Sequence, residues 1–173
     1  DAIIPTWAHA GGNDSLIARL QNPAIRDSLR REIMGPDQRD EYIGESSGGP
    51  TGVMLAGFGT DSLRKYNGML LSDVAEQRQQ PAIEAVFDLL VADSARTSAI
   101  YFSMSEEDIE YAMKQPWVSV GIDAGSRDTV TTSHPHPRAY GSFPRILCHY
   151  VRERNVLTLP DAIRKFSALP AAR

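Results

Sequence analysis

A chain of 173 residues with 42% apolar and 23% charged residues has the composition of one soluble globular domain with a core of its own. A net charge of −4 and a pI near 5.5 provide no general attraction to nucleic acid or to an anionic membrane. The lone cysteine, Cys148, excludes an internal disulfide framework and fits a reducing, cytoplasmic setting, and no apolar run reaches membrane-span length.

The chain opens on DAIIPTWAHAGG and closes on FSALPAAR, ends that read as cuts through a longer polypeptide. NDSLIARLQ (13–21) and NPAIRDSLRREI (22–33) predict a helical pair joined by a tight break. Asn22 is the N-cap of the second helix, Pro23 takes its first position, Ile25, Leu29 and Ile33 recur every four residues, and Gly35-Pro36 ends it. Residues 36–50 are polar and rich in glycine and proline, hence a loop. TGVMLAGFG (51–59) predicts a strand, and LLSDVAEQRQQ (70–80) a short helix. In PAIEAVFDLLVAD (81–93), Pro81 opens a helix striped by Ile83, Val86, Phe87 and Leu90. TSAIYFSM (97–104) reads as a strand, and Ser103 stands at capping-box spacing from Glu106 for the helix SEEDIEYAMKQ (105–115). WVSVGID (117–123) reads as a buried strand. After a long polar loop, SFPRILCHYVRER (142–154) and LPDAIRKFSAL (159–169) predict amphipathic helices, the second striped by Leu159, Ala162, Ile163 and Phe166. Strands alternating with helices predict an α/β fold of parallel β/α units.

Reactive residues in such folds gather at the C-terminal ends of strands. Asp123 ends the apolar run, with the small Ala124 and Gly125 above it. A carboxylate so placed is partly desolvated, which raises its proton affinity and suits it to acid–base work. A turn or cap aspartate fits the position equally well. Alternate residues of an extended chain point the same way, so His134-x-His136 has the look of a metal pair. Pro135 and Pro137 instead impose a polyproline-like course with about three residues per turn, which favours a structural or supporting role for both histidines. Arg138, on that proline-braced loop, is suited to two-pronged capture of a carboxylate; its plainer reading is a surface salt bridge. Cys148 reads as a packing residue, His149 as a residue at the surface or core edge, and His9 as a loop histidine able to line a pocket. GFGTDS (57–62) lacks the spacing of a dinucleotide loop, and neither a Ser-His-Asp order nor zinc-ribbon spacing is present.

Four stretches taken together carry a more specific signal. IPTWAHAGGNDSLIARLQNPAIRDSLRREI, FSMSEEDIEYAMKQPWVSVGIDAGS, HPHPRAYGSFPRIL with HYVRE, and SALPAAR resemble the C-terminal half of the N-acyl-D-amino-acid deacylases (D-aminoacylases) of the amidohydrolase superfamily. The resemblance implies the C-terminal portion of a (β/α)8 TIM-barrel metallo-hydrolase. Residues 1–50 would be a lid-like helical insertion, with 13–34 its helical cover, and 51–173 the last β/α units of the barrel. It implies that Asp123 takes a proton from metal-activated water and returns it to the leaving nitrogen, and that Arg138 binds the substrate α-carboxylate. It also implies zinc, with ligands upstream of Asp1 and no metal ligand in this chain, so that the chain alone is inactive. The implied partners are a small N-acyl-D-amino acid and the remainder of the polypeptide, with no nucleic acid or membrane. Ile122-Asp123-Ala124 stands where many relatives have Ser-Asp-Gly, which leaves substrate preference open. Two alternatives are an amidohydrolase acting on cyclic amides (dihydroorotase-like or hydantoinase-like) and a non-catalytic binding module of the same fold. The H-P-H-P-R context of Arg138 favours the deacylase.

Overall fold

The structure, a computed structural model, describes residues 3–35, 47–125 and 136–172. The described residues form two compact units, one ending at Ser103 and one beginning at Met104.

In the first unit, Gly12–Gln21 form α1 and Pro23–Met34 form α2. The expected cap is present: Asn22 Oδ1 accepts from the Ala24 and Ile25 amides at 3.0 and 3.3 Å, with Pro23 in the first turn. Leu16 and Leu20 of α1 and Leu29 and Ile33 of α2 are buried together with Ile4, Ala8, Ile83 and Phe87. Strand β1 (Val53–Gly57), helix α3 (Leu71–Gln77), helix α4 (Ala82–Ala92) and strand β2 (Ser98–Tyr101) fall where the apolar patterns put them. Helix α4 is apolar on more than one face. Ile83 and Phe87 pack on α1 and α2, Leu89 joins Leu55, Phe58, Tyr66 and Val74, and Ala85 joins Val53, Leu71 and Ala75. It is the central helix of the unit, and the stripe expected from Val86 and Leu90 is only partly buried.

The strand pairing departs from the parallel arrangement expected. β1 and β2 run antiparallel, with Val53 opposite Tyr101, Met54 opposite Ile100 and a bulge between Leu55 and Gly57. The reason lies in the connection. Parallel neighbours are usually joined by one crossover helix, whereas here a 3-10 helix (Asp61–Tyr66), α3 and α4 all lie between β1 and β2. The other side of β1 is covered by the turn before α3, where Leu55 N–H donates to Met69 O at 2.9 Å and Gly68 N–H to Leu55 O at 2.7 Å. A β-carbon at Gly52 would lie 1.6 Å from Ser47 O, so the entry to β1 requires glycine.

The loops at the end of this sheet converge on a residue the apolar pattern did not single out. Asp93, fully buried, accepts from the Thr60 amide at 2.7 Å, the Gly59 amide at 3.2 Å and the Thr97 hydroxyl at 3.0 Å. One carboxylate thereby satisfies donors of the loop after β1 and of the lead into β2.

In the second unit, Glu106–Lys114 form α5. Its cap is Ser105, whose hydroxyl accepts from Asp108 N–H at 3.1 Å, and not Ser103 as the spacing suggested. Helix α6 (Arg138–Arg145) runs on into a π-helical segment, Ile146–Glu153, rather than a uniform α-helix. Pro144 inside α6 has no N–H to return to the preceding turn, and past it the bonding widens, as in Arg154 N–H to His149 O at 2.8 Å. Leu159–Phe166 form α7 and Ala168–Ala171 a last short turn of helix, α8. The core here is small: Ile146, Tyr150 and Ala162 are buried, with Ile109, Met113, Val120, Val151 and Phe166 partly so.

Candidate functional site

Asp123 and Arg138, the two residues singled out for chemistry, meet in the second unit. Arg138 Nη1 lies 4.0 Å from Asp123 Oδ2, and their side chains are 47% and 99% exposed. The segment that delivers Asp123 differs from expectation. Trp117 lies in a turn, Val118 to Gly125 form neither strand nor helix, and Asp123 itself has a φ of 42°. Along it, half-buried Val118, Val120, Ile122 and Ala124 alternate with exposed Trp117, Ser119, Gly121, Asp123 and Gly125. That is the period of a half-buried strand, with no strand bonded to it among the described residues. The carboxylate therefore stands in solvent rather than being partly desolvated. A left-handed φ is uncommon outside glycine, although Asp tolerates it better than most residues, and held backbones of this kind recur at functional sites.

Arg138 opens α6, and the helix start is organised by His136. Its Nδ1 accepts from the Arg138 amide at 3.1 Å, and its carbonyl accepts from Ala139 N–H at 2.9 Å. Burial, and then the charge of Arg138, hold the imidazole below its ordinary pKa. A neutral ring with a free Nδ1 lone pair is what this acceptor role needs. His136 thus caps the helix, the structural role its proline context suggested; His134 lies outside the described residues. Cys148 is exposed and not a packing residue, because the π-turn carries it to the outer face. His149 is half-buried, its Nδ1 2.7 Å from Glu153 Oε2 and its ring edge-on to Tyr150. Burial lowers the pKa of His9, which lies in the first unit.

The helix bearing Arg138 is tied to α5 by a polar cluster that sequence patterning did not expose. Tyr150 Oη donates to Glu106 Oε2 at 2.6 Å, and Arg145 Nη2 donates to Glu106 Oε1 at 2.7 Å while its guanidinium lies 5.4 Å from the Tyr150 ring centre. The Tyr150 hydrogen bond, against burial and with help from Arg145, holds the Glu106 carboxyl below its ordinary pKa. A buried lysine beside the segment that leads to Asp123 was also missed. Lys165 of α7 is 2% exposed, and its ammonium donates to the carbonyls of Gln115 at 2.5 Å and Val118 at 3.0 Å. Its signal was a lysine three positions after Ala162, on the inward face of α7.

Among the described residues no group of three or more His, Cys, Asp or Glu side chains could hold a metal ion. They do not fit a zinc site. No helix among them is long and apolar enough to cross a membrane.

A carboxylate 4.0 Å from a guanidinium is an ion pair, and a guanidinium is chemically suited to holding a carboxylate. No family model matches the chain. It is 38% identical over 104 residues, 60% of its length, to the N-acyl-D-glutamate deacylase of Alcaligenes xylosoxydans xylosoxydans. It is 30% identical over 155 residues, 87% of its length, to the D-aminoacylase of the same organism. It spans 20% of the first relative and 30% of the second. Among solved structures it resembles the crystal structure of N-acyl-D-glutamate deacylase from Bordetella bronchiseptica complexed with zinc and a phosphonate inhibitor. There the TM-score is 0.57 and the identity 29%, over 74% of this chain and 25% of that one. The chain belongs to the D-aminoacylase family, of whose members it spans a part.

Proposed function

We propose that the full-length protein is a cytoplasmic, zinc-dependent hydrolase of N-acyl-D-amino acids, releasing a carboxylate and a free D-amino acid. What supports the reading is the approach of Arg138 to Asp123 within one unit, in a chain whose relatives are named as deacylases. Asp123 accepts the proton of the attacking water as its oxygen bonds to the amide carbon. It then returns that proton to the nitrogen as the carbon–nitrogen bond breaks. Arg138 holds the substrate α-carboxylate. An ion pair as long and exposed as Arg138–Asp123 contributes only about 0–1 kcal/mol, so the guanidinium exchanges partners readily. Zinc would be held by residues outside this chain and would supply Lewis-acid polarisation and a lowered pKa of water, while Asp123 and Arg138 keep the roles given above.

In the same reading the chain is the C-terminal portion of a (β/α)8 barrel protein, residues 1–50 being a lid-like helical insertion. Because β1 and β2 pair antiparallel they are no part of the all-parallel barrel, and the last β/α units fall in the remainder of 51–173. The 117–123 segment gains a strand neighbour from the remainder of the polypeptide on the edge that Lys165 does not occupy.

The test is an assay of the full-length protein with zinc against N-acyl-D-amino acids, their L-enantiomers and cyclic amides such as dihydroorotate. D-selective release of amino acid is expected. Ring opening without that release would favour a cyclic amidohydrolase, and inertness toward every substrate would favour a binding module. Asp123→Asn is expected to leave substrate affinity intact and to lower kcat by about a hundredfold or more. Arg138→Ala is expected mainly to raise KM. The 173-residue chain alone is expected to show no deacylase activity with added zinc.

A further inference from the structure

The segment leading to Asp123 has no inter-strand bonds among the described residues, yet positions 117–125 alternate regularly between exposed and half-buried. Several of its main-chain groups bond to one short stretch of α7, while Val120 also packs against the cluster of Ile146, Tyr150 and Ala162. Lys165 Nζ donates to Gln115 O at 2.5 Å and to Val118 O at 3.0 Å. The carbonyl of the same residue accepts from Val120 N–H at 3.3 Å, and neighbouring Arg164 Nη2 donates to Pro116 O at 3.1 Å. A buried ammonium facing main-chain carbonyls is costly unless each bond is made, so the arrangement has few alternatives. Burial and the charge of Arg164 lower the Lys165 pKa against the pull of Asp161. Neither protonation state of an amine loses its ability to donate two hydrogen bonds.

We propose that Lys165 is the positioning residue for Asp123. It straps residues 115–120 to α7 from both its ammonium and its own carbonyl, and so fixes where the following turn presents the carboxylate. Its effect on turnover rests on the reading of Asp123 as the proton-transfer group; the strap itself does not.

The test has one arm for each. In the unaltered 173-residue chain, NMR is expected to show the Lys165 ammonium protons in slow exchange, with couplings across the hydrogen bonds to the Gln115 and Val118 carbonyl carbons. A Lys165 signal averaged with solvent, like those of free lysines, would overturn the proposal without any variant. Lys165→Met keeps the length and removes the donors. It is expected to speed Val120 amide exchange by about tenfold or more while the amides of α6 keep their rates. Equal loss at both places would mean general unfolding and would also sink the proposal. In the full-length protein, Lys165→Met is expected to lower kcat by about tenfold with KM within about twofold, and Lys165→Arg to recover most of it. Unchanged kcat beside a loosened Val120 would refute the positioning role. Should Asp123→Asn retain turnover while Lys165→Met still frees Val120, the error lies in the role given to Asp123 and not in the strap.

Discussion

The two units are held together in different ways. The first is a packed body: Leu20, Leu29, Phe87 and Val74 are essentially sealed from solvent, and Asp93, a sealed carboxylate, has its partners around it. Among its described residues the second buries only Ile146, Tyr150 and Ala162 of the apolar side chains and leaves Tyr111, Trp117, Leu159 and Ile163 exposed. It compensates with polar ties: Tyr150 and Arg145 on Glu106, Arg154 on Glu110, and Lys165 on main-chain carbonyls. Apolar packing is insensitive to charge and salt, whereas exposed ion pairs are weak and screened. The candidate site thus lies in the unit whose stability is more easily disturbed, as is common for functional segments.

The sharpest way to break the contrast is inside the first unit. Phe87→Ala is expected to cost about 3–5 kcal/mol through its cavity, read as a shift in the urea midpoint. Asp93→Ala is expected to follow at about 3 kcal/mol, because it strands the Gly59 and Thr60 amides and the Thr97 hydroxyl. If either change leaves the midpoint in place, that unit is not the packed body described.

Next comes acid. In the first unit, burial opposes ionisation of Glu84, but hydrogen bonds from Arg30 and Arg26 prevail and hold its pKa below the ordinary 4.5. A depressed carboxylate contributes stability that is present above the unfolded pKa and lost as pH falls through the folded one. Stability is therefore expected to drop as pH is lowered below about 4.5, and Glu84→Gln to flatten that drop at a cost of about 1–3 kcal/mol near neutrality. Thermal melts at stepped pH read both.

The smallest effects belong to the second unit. Arg145→Ala is expected to cost about 0.5–1 kcal/mol, and 0.5 M salt to weaken amide protection in α5 and α6 more than in α4. Hydrogen exchange measured at two ionic strengths distinguishes this from equal protection in both units.

Much of the local structure was legible from residues alone. Asn22-Pro23 starts α2 because one side-chain oxygen and one missing N–H solve the same end problem. The apolar runs at 53–57 and 98–101 mark strands whatever they pair with. Pairing direction was not legible, since it depends on the path of the connection rather than on the strands themselves. Two serines compete for the start of α5, and only the turn geometry selects Ser105 over Ser103. The WVSVGID run alternates as a strand should, but a strand also needs a neighbour, which no local pattern supplies.

Helix α7 shows the limit most clearly. Its apolar stripe predicted Leu159 and Ile163 inside, yet they are 54% and 47% exposed while Lys165 is buried. Hydrophobicity ranks side chains one at a time; a cluster of carbonyls able to receive an ammonium exists only after the chain has folded around it. At Asp123 and Arg138 the division is similar. Residue chemistry and family resemblance single out the pair from the linear chain. Their approach to 4.0 Å, the left-handed turn at Asp123 and the strap from Lys165 arise only from contacts between residues distant in sequence.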